Sequence, residues 1–430
     1  MNEKIETKIS KKFKIVISLC AVAIMIFSFF VGYFTHYLMQ GEKINSIIWL
    51  IKQIEGNYYF DEGDGKIKTF TTEDYADAIV KNLLDKYSDY YTKDEYIDVI
   101  STSKGNSYGI GVSFLKTATD NTIFKVSGNS PAERAGLRDG DKIIAGEVGG
   151  VKTQLNNKEE IFEFLGGILE DVSFSLDCLR KGETFSVTLK REAFIESFVF
   201  YSDSEKSLRF QAEGNMPLQK VEGSENIPSL SSSTAYIALS SFDGGAVEQI
   251  GWAMEYASLR GKSKIILDLR SNGGGYMSVL SGVASYFTYS EQARYPVIAV
   301  AVNKSGAVQN FTSSGDNFNR NIEKICVLAN ENTASASECL IGAMLHYGKA
   351  FNENYLVIEK NDQGIAKTYG KGIMQTTYPN VLTGQAVKMT TAFIYQPNGR
   401  VSIHGVGFIP LNENAVEKGE GIARAIEILQ

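Results

Sequence analysis

KIILDLRSNGGG, residues Lys264–Gly275, is an apolar run that closes on a charged end and then breaks into glycines. A short apolar run bounded by turn residues reads as a buried strand giving way to a loop. YMSVLSGVASYF follows as a helix, and the same alternation repeats outward on both sides. Upstream, AYIALSSF reads as a strand and Val247–Leu259 as a helix; downstream, KICVLAN is a buried strand and SASECLIGAMLHYG a helix. Strands alternating with helices make an α/β core over 234–430. The glycine loop could cradle a phosphate, but its spacing fits neither a P-loop nor GxGxxG. Its backbone N–H donors suit a developing alkoxide better, and Asp268 and Arg270 read as structural partners at the strand end.

Asn332–Glu338, NTASASE, opens the last of these helices. Ser335 then lies in the first turn, where free N–H groups and the helix dipole favour negative charge and lower the cost of an anionic intermediate. Ser335-x-x-Glu338 is equally a capping box, whose ordinary use is to start a helix. Farther on, Tyr369–Gln375 reads YGKGIMQ. A lysine between glycines is ordinarily a surface turn residue, but a desolvated lysine sheds its proton more readily and can act on a serine hydroxyl. In an extended segment Gln375 shares the face of Lys371 and can orient its amine.

From Ser107 the pattern changes to short strands and glycine turns, with one helix at NKEEIFEFLGGI. In the loop Tyr108–Val112, residues Gly109, Ile110, Gly111 and Val112 can turn successive N–H groups toward one point. Such a nest accepts a terminal carboxylate, and the neighbouring strand edge accepts a peptide as an added strand. SPAERAGLRDGD, Ser130–Asp141, follows about 20 residues on. The plain alternative is a strand-turn-strand without a ligand.

In order and content these pieces resemble the C-terminal processing peptidases, or tail-specific proteases, over nearly all of residues 50–430. LLDKYSDYYTKDEY, Leu83–Tyr96, is similar to that family's segment ahead of its PDZ domain. The resemblance implies an α+β multidomain chain in which a PDZ-like β domain precedes a crotonase-like α/β peptidase core. It implies Ser335 as nucleophile from an S-A-S-E string, Lys371 as general base from a G-K-G-x-x-Q string, and Gln375 as its support. It places the oxyanion donors at Ala336 and at Gly274 or Gly275. The ligand it implies is a protein or peptide with a free C-terminus, with no metal and no cofactor. Gly273 departs from the proline of the family's DLRxNPGG loop. Ser335 and Lys371 stand 36 residues apart, farther than the resemblance leads one to expect, with FNENYLVIEKNDQGIAK as the longer piece. The polar stretch 202–233 is the third departure.

Other readings stay open beside it. The chain could be a catalytically inactive, membrane-tethered PDZ scaffold. A Ser-His-Asp hydrolase would have to use His404, because His346 follows Ser335 by 11 residues on one helix, about 16 Å away. A crotonase-type acyl-CoA enzyme shares the core but not the peptide-binding module.

Ile15–Phe34 is a run of 20 residues without a charged side chain, long enough to cross a bilayer. Lys4, Lys8, Lys11, Lys12 and Lys14 precede it against Glu3 and Glu6, so this end stays cytoplasmic and the remainder faces outward. A cleaved signal peptide is the rival, with a shorter apolar region and a small-x-small site; Cys20 after Leu19 is a poor lipidation site. The expected organisation is a cytoplasmic tail at 1–14, a single-pass cell-membrane anchor at 15–38 and a helical segment at 39–99. A PDZ-like domain at 100–192, a linker at 193–233 with room for one hairpin within 202–233, and an extracytoplasmic core at 234–430 follow. The net charge of −7, without a basic stripe beyond the first residues, argues against nucleic acid. Four cysteines and three histidines show no metal-ligand spacing, a Cys326–Cys339 pairing has nothing further to support it, and an oligomer is compatible with the sequence.

Overall fold

The computed structural model describes residues 11–58, 69–115, 119–210, 218–220, 227 and 229–430. They fall into a unit ending at Ile79 and a unit spanning Val80–Gln430. In the first, one helix runs Lys11–Asn57. Its stretch Ser18–Thr35 has a mean hydropathy of 2.0 and exposes its side chains. At 1.5 Å per residue that stretch is about 27 Å long, close to the thickness of a bilayer's hydrocarbon core. The first ten residues of the expected cytoplasmic tail lie outside the described residues.

The second unit is built on a sheet of eight strands in the order Leu218–Lys220, Ser207–Phe210, Val199–Ser202, Thr234–Leu239, Lys264–Asp268, Lys324–Ala329, Leu356–Glu359, Ala415–Val416. The first three pair antiparallel and the last five run parallel. Helices Ala246–Leu259, Met277–Phe287 and Ala336–Tyr347 bury Ile250, Leu280 and Leu340 against one face. Helix Gly421–Leu429 covers the other face through Ala425 and Leu429. Residues buried on both faces explain why KIILD and KICVLA read as unbroken apolar runs.

Two expectations are corrected here. The linker expected at 193–233 supplies Val199–Ser202 and Ser207–Phe210, a hairpin paired to Thr234–Leu239. Buried Ser202 and Ser207 and the charged turn 203–206 between them give this hairpin a polar composition. Residues 211–217, 221–226 and 228 of that stretch lie outside the described residues. The helical segment expected at 39–99 contains a strand, Asp89–Tyr91, paired to Ala386–Lys388 at the edge of a second, smaller sheet. Two consecutive tyrosines suit a strand better than a helix. The piece between Ser335 and Lys371 includes the parallel strand Leu356–Glu359 and a tight turn at Asn361–Ile365.

The PDZ-like unit has its own core around Ile123, Ile143, Leu155, Leu176 and Phe174. A four-stranded antiparallel sheet and the helix Lys158–Gly166, capped by Asn157, enclose it. Arg209 of the core hairpin bonds Glu133 of this unit at 3.0 and 2.5 Å, and the Lys125 amine donates to the Ser240 carbonyl.

Candidate active site

Ser335 precedes the helix Ala336–Tyr347 with φ 58° and ψ −116°. Only glycine visits positive φ cheaply, so this serine is held in a strained turn by its surroundings. Its N–H donates to Oε2 of Glu338 at 3.0 Å. The N–H of Lys371 donates to the same oxygen at 2.9 Å. The two amides therefore lie within about 6 Å of each other, the sum of those two distances. Oε1 of the same carboxylate accepts from the Gly370 N–H at 2.8 Å and the Thr368 hydroxyl at 2.6 Å. Glu338 is fully buried, and burial pushes its carboxyl up against four donors that pull it down. The capping-box residue thus joins the serine turn to the lysine loop across 30 to 33 residues of chain.

Lys371 is half-buried, and desolvation first, then the charge of Lys388, holds its amine below the usual lysine range. Gln375 does not reach it. The strand Ile373–Pro379 begins only after Lys371, and a bulge between Met374 and Gln375 breaks the period-two alternation. The Gln375 amide donates instead to Thr390 Oγ1 at 3.0 Å.

The glycine loop lies against the serine turn. Asn272, fully buried, accepts the Ala334 N–H at 3.0 Å and the Ser337 hydroxyl at 2.9 Å on its carbonyl. Its Oδ1 takes the Gly274 N–H at 2.9 Å, so that amide is occupied. The N–H groups of Gly275 and Ala336 bond no acceptor among the described residues. Gly274 has φ +104°, and a Cβ there would stand 2.8 Å from Ser335 Cβ and 2.9 Å from the Ala336 nitrogen. Gly274→Ala should therefore lower thermal stability by about 2–4 kcal/mol and strip activity together, checked by melting and peptide cleavage.

The other sequence candidates lie elsewhere. The exposed His346 ring packs on Tyr347, and the exposed His404 ring meets Phe393 edge-on with centroids 5.4 Å apart. Asp268 and Arg270 do form a structural pair, extended to Glu359 and Tyr236. Cys326 and Cys339 are free, each thiol pushed up to about 12 by burial.

In the PDZ-like unit, Ile110 and Gly111 present N–H groups with no acceptor among the described residues. A hollow of about 460 Å³ opens beside them, bordered by Val112, Phe162, Leu165 and Phe194. Gly111 is required there: at φ +77° a Cβ would stand 2.2 Å from Ser130 Cβ.

Residues 233–411 match the model of peptidase family S41. The fold is that of an S41 peptidase core with a PDZ-like unit. A probable CtpA-like serine protease of Staphylococcus haemolyticus (strain JCSC1435) is 27% identical over 86% of this chain. The match covers 64% of that protein, so the chain spans less than two thirds of its length. Among solved structures, the photosystem II D1 C-terminal processing protease is 21% identical with a TM-score of 0.48, covering 79% of this chain and 80% of that one. The PDZ domain of a carboxy-terminal protease from Vibrio cholerae, solved with a peptide, is 19% identical with a TM-score of 0.19 over 21% of this chain and 97% of that one.

Proposed function

We propose that this chain is a membrane-anchored serine endopeptidase working through Ser335 and Lys371. The observation that carries the reading is the single buried carboxylate, Glu338, that holds the backbones of both residues. Ser335 attacks the peptide carbonyl while the neutral Lys371 amine takes its proton and later gives one to the leaving amine. Ala336 and Gly275 donate to the oxyanion at the start of a helix, where the dipole also favours negative charge. Gln375 supports the site indirectly, donating to Thr390, whose hydroxyl bonds Asp85. The hollow at Gly109, Ile110, Gly111 and Val112 supports recognition of a substrate's terminal carboxylate and apolar last residue. The apolar stretch Ser18–Thr35 and the lysines before it support a single-pass anchor with the peptidase on the extracytoplasmic side.

The test is cleavage of a peptide with a free apolar C-terminus, followed from neutral to alkaline pH. Because burial and Lys388 lower the amine's affinity for protons, kcat/KM should rise through one limb below the free-lysine value of about 10.4. His404→Ala should leave that limb in place. No cleavage at any pH would leave a tethered peptide-binding scaffold instead.

A further inference from the structure

The amine of Lys371 makes no hydrogen bond among the described residues; the ring of Tyr87 faces it, with Nζ 4.8 Å from the centroid. Tyr87 belongs to Asp85–Lys86–Tyr87, the connection between the helix Thr72–Leu83 and the strand Asp89–Tyr91. Its hydroxyl donates to Tyr369 Oη at 3.0 Å, and Lys86 Nζ donates to the same oxygen at 2.8 Å. Tyr369 stands two residues before Lys371, and its N–H bonds the Thr333 carbonyl at 3.0 Å, two residues before Ser335. At the other end, Asp85 Oδ1 accepts the Tyr87 N–H at 3.0 Å and the Ser88 hydroxyl at 2.9 Å. The Asp85 carboxylate also takes the Thr390 hydroxyl, whose oxygen accepts the Gln375 amide. The segment is thus fixed to the lysine's own loop and to the strand pair that carries Gln375.

We propose that Tyr87, fixed by Asp85 and Tyr369, is a positioning residue for Lys371, its ring walling the amine from water and holding it toward Ser335. This rests on the Ser335–Lys371 reading. An aromatic face also attracts an ammonium, so the ring acts on both protonation states, and the balance is set by the water it excludes. The groups facing the amine are Lys388 from the strand Ala386–Tyr395, Glu338 from the helix Ala336–Tyr347, Tyr369 of its own loop, and Asp85 with Tyr87. Burial and Lys388 disfavour the ammonium, while Tyr369, Asp85 and Glu338 favour it. Removing the ring readmits water and leaves the charges in place, so the amine should hold its proton to higher pH.

The experiment compares Tyr87→Ala and Tyr87→Phe in the full chain. Tyr87→Ala should move the alkaline limb of kcat/KM up by about one pH unit, an approximately tenfold loss at neutral pH. Tyr87→Phe keeps the ring, and with Lys86 still bonded to Tyr369 and the backbone N–H of position 87 still bonded to Asp85 the segment stays fixed, so the limb should stay where the wild type has it. Competitive acetylation of Lys371 against pH, read by mass spectrometry in a Ser335→Ala background, measures the same amine without catalysis. Its midpoint should rise in Tyr87→Ala and stay in Tyr87→Phe. If Tyr87→Ala does not fold, Tyr87→Gln keeps the length of the side chain without the wall and should move both readouts the same way. An unmoved limb and an unmoved midpoint overturn the proposal. Should Ser335→Ala alone still cleave, the assignment of Ser335 as nucleophile fails, whereas the acetylation midpoint still decides the role of Tyr87.

Discussion

Ser335→Ala and Lys371→Ala should each lower peptide cleavage by about 10⁴-fold or more, and the double variant should lose little beyond either. In the proposed mechanism the two side chains act on one proton, so removing either removes the same step. What survives in that mechanism is the binding and the proposed oxyanion donors, Ala336 and Gly275. Lys371→Arg should not restore activity, because a guanidinium stays charged and cannot accept the serine proton. Neither alanine variant should unfold the chain. Ser335 is already half-buried in a strained turn and Lys371 makes no side-chain hydrogen bond among the described residues, so thermal melting should move little. Cleavage by Ser335→Ala at more than about a tenth of the wild-type rate would show a different nucleophile, since such a residue typically carries several orders of magnitude.

Much of this architecture was legible in the sequence where one physical signal dominated. The parallel strands Lys264–Asp268 and Lys324–Ala329 are apolar on both faces, and glycines at 109 and 111 announce a turn. The hairpin Val199–Phe210 was legible only as one hairpin somewhere in a linker, and not as part of the core sheet, because serines at 202 and 207 diluted the apolar positions. At the site, the motif strings singled out Ser335 and Lys371 as candidates but not the groups that touch them. Gln375 was placed by counting along an ideal strand, and the bulge at Met374 defeats that count. Tyr87 lies 284 residues before Lys371, and no local pattern links positions so far apart.

Glu338 shows the same limit most clearly, since S-x-x-E is a capping signal whatever else the carboxylate does. Its two oxygens take four donors: the N–H groups of Ser335, Gly370 and Lys371 and the Thr368 hydroxyl. Glu338→Ala would leave all four without an acceptor, each costing about 1–3 kcal/mol when buried. That total is comparable to the about 5–15 kcal/mol that holds a whole domain together, so this variant should not accumulate folded. Glu338→Gln is the informative change. It keeps the volume and one acceptor oxygen, but its amide nitrogen meets two donors head-on. The lysine loop and the serine turn should then separate locally while the peptide groove in the PDZ-like unit is untouched. Peptide cleavage should show kcat reduced by about 10²-fold with KM nearly unchanged, the pattern of an interaction realised in the transition state. Melting should fall by about 2–4 kcal/mol equivalent, from two opposed buried donors. A Glu338→Gln protein with wild-type melting and wild-type kcat would mean that the carboxylate only caps a helix, and that the meeting of Ser335 and Lys371 depends on other contacts.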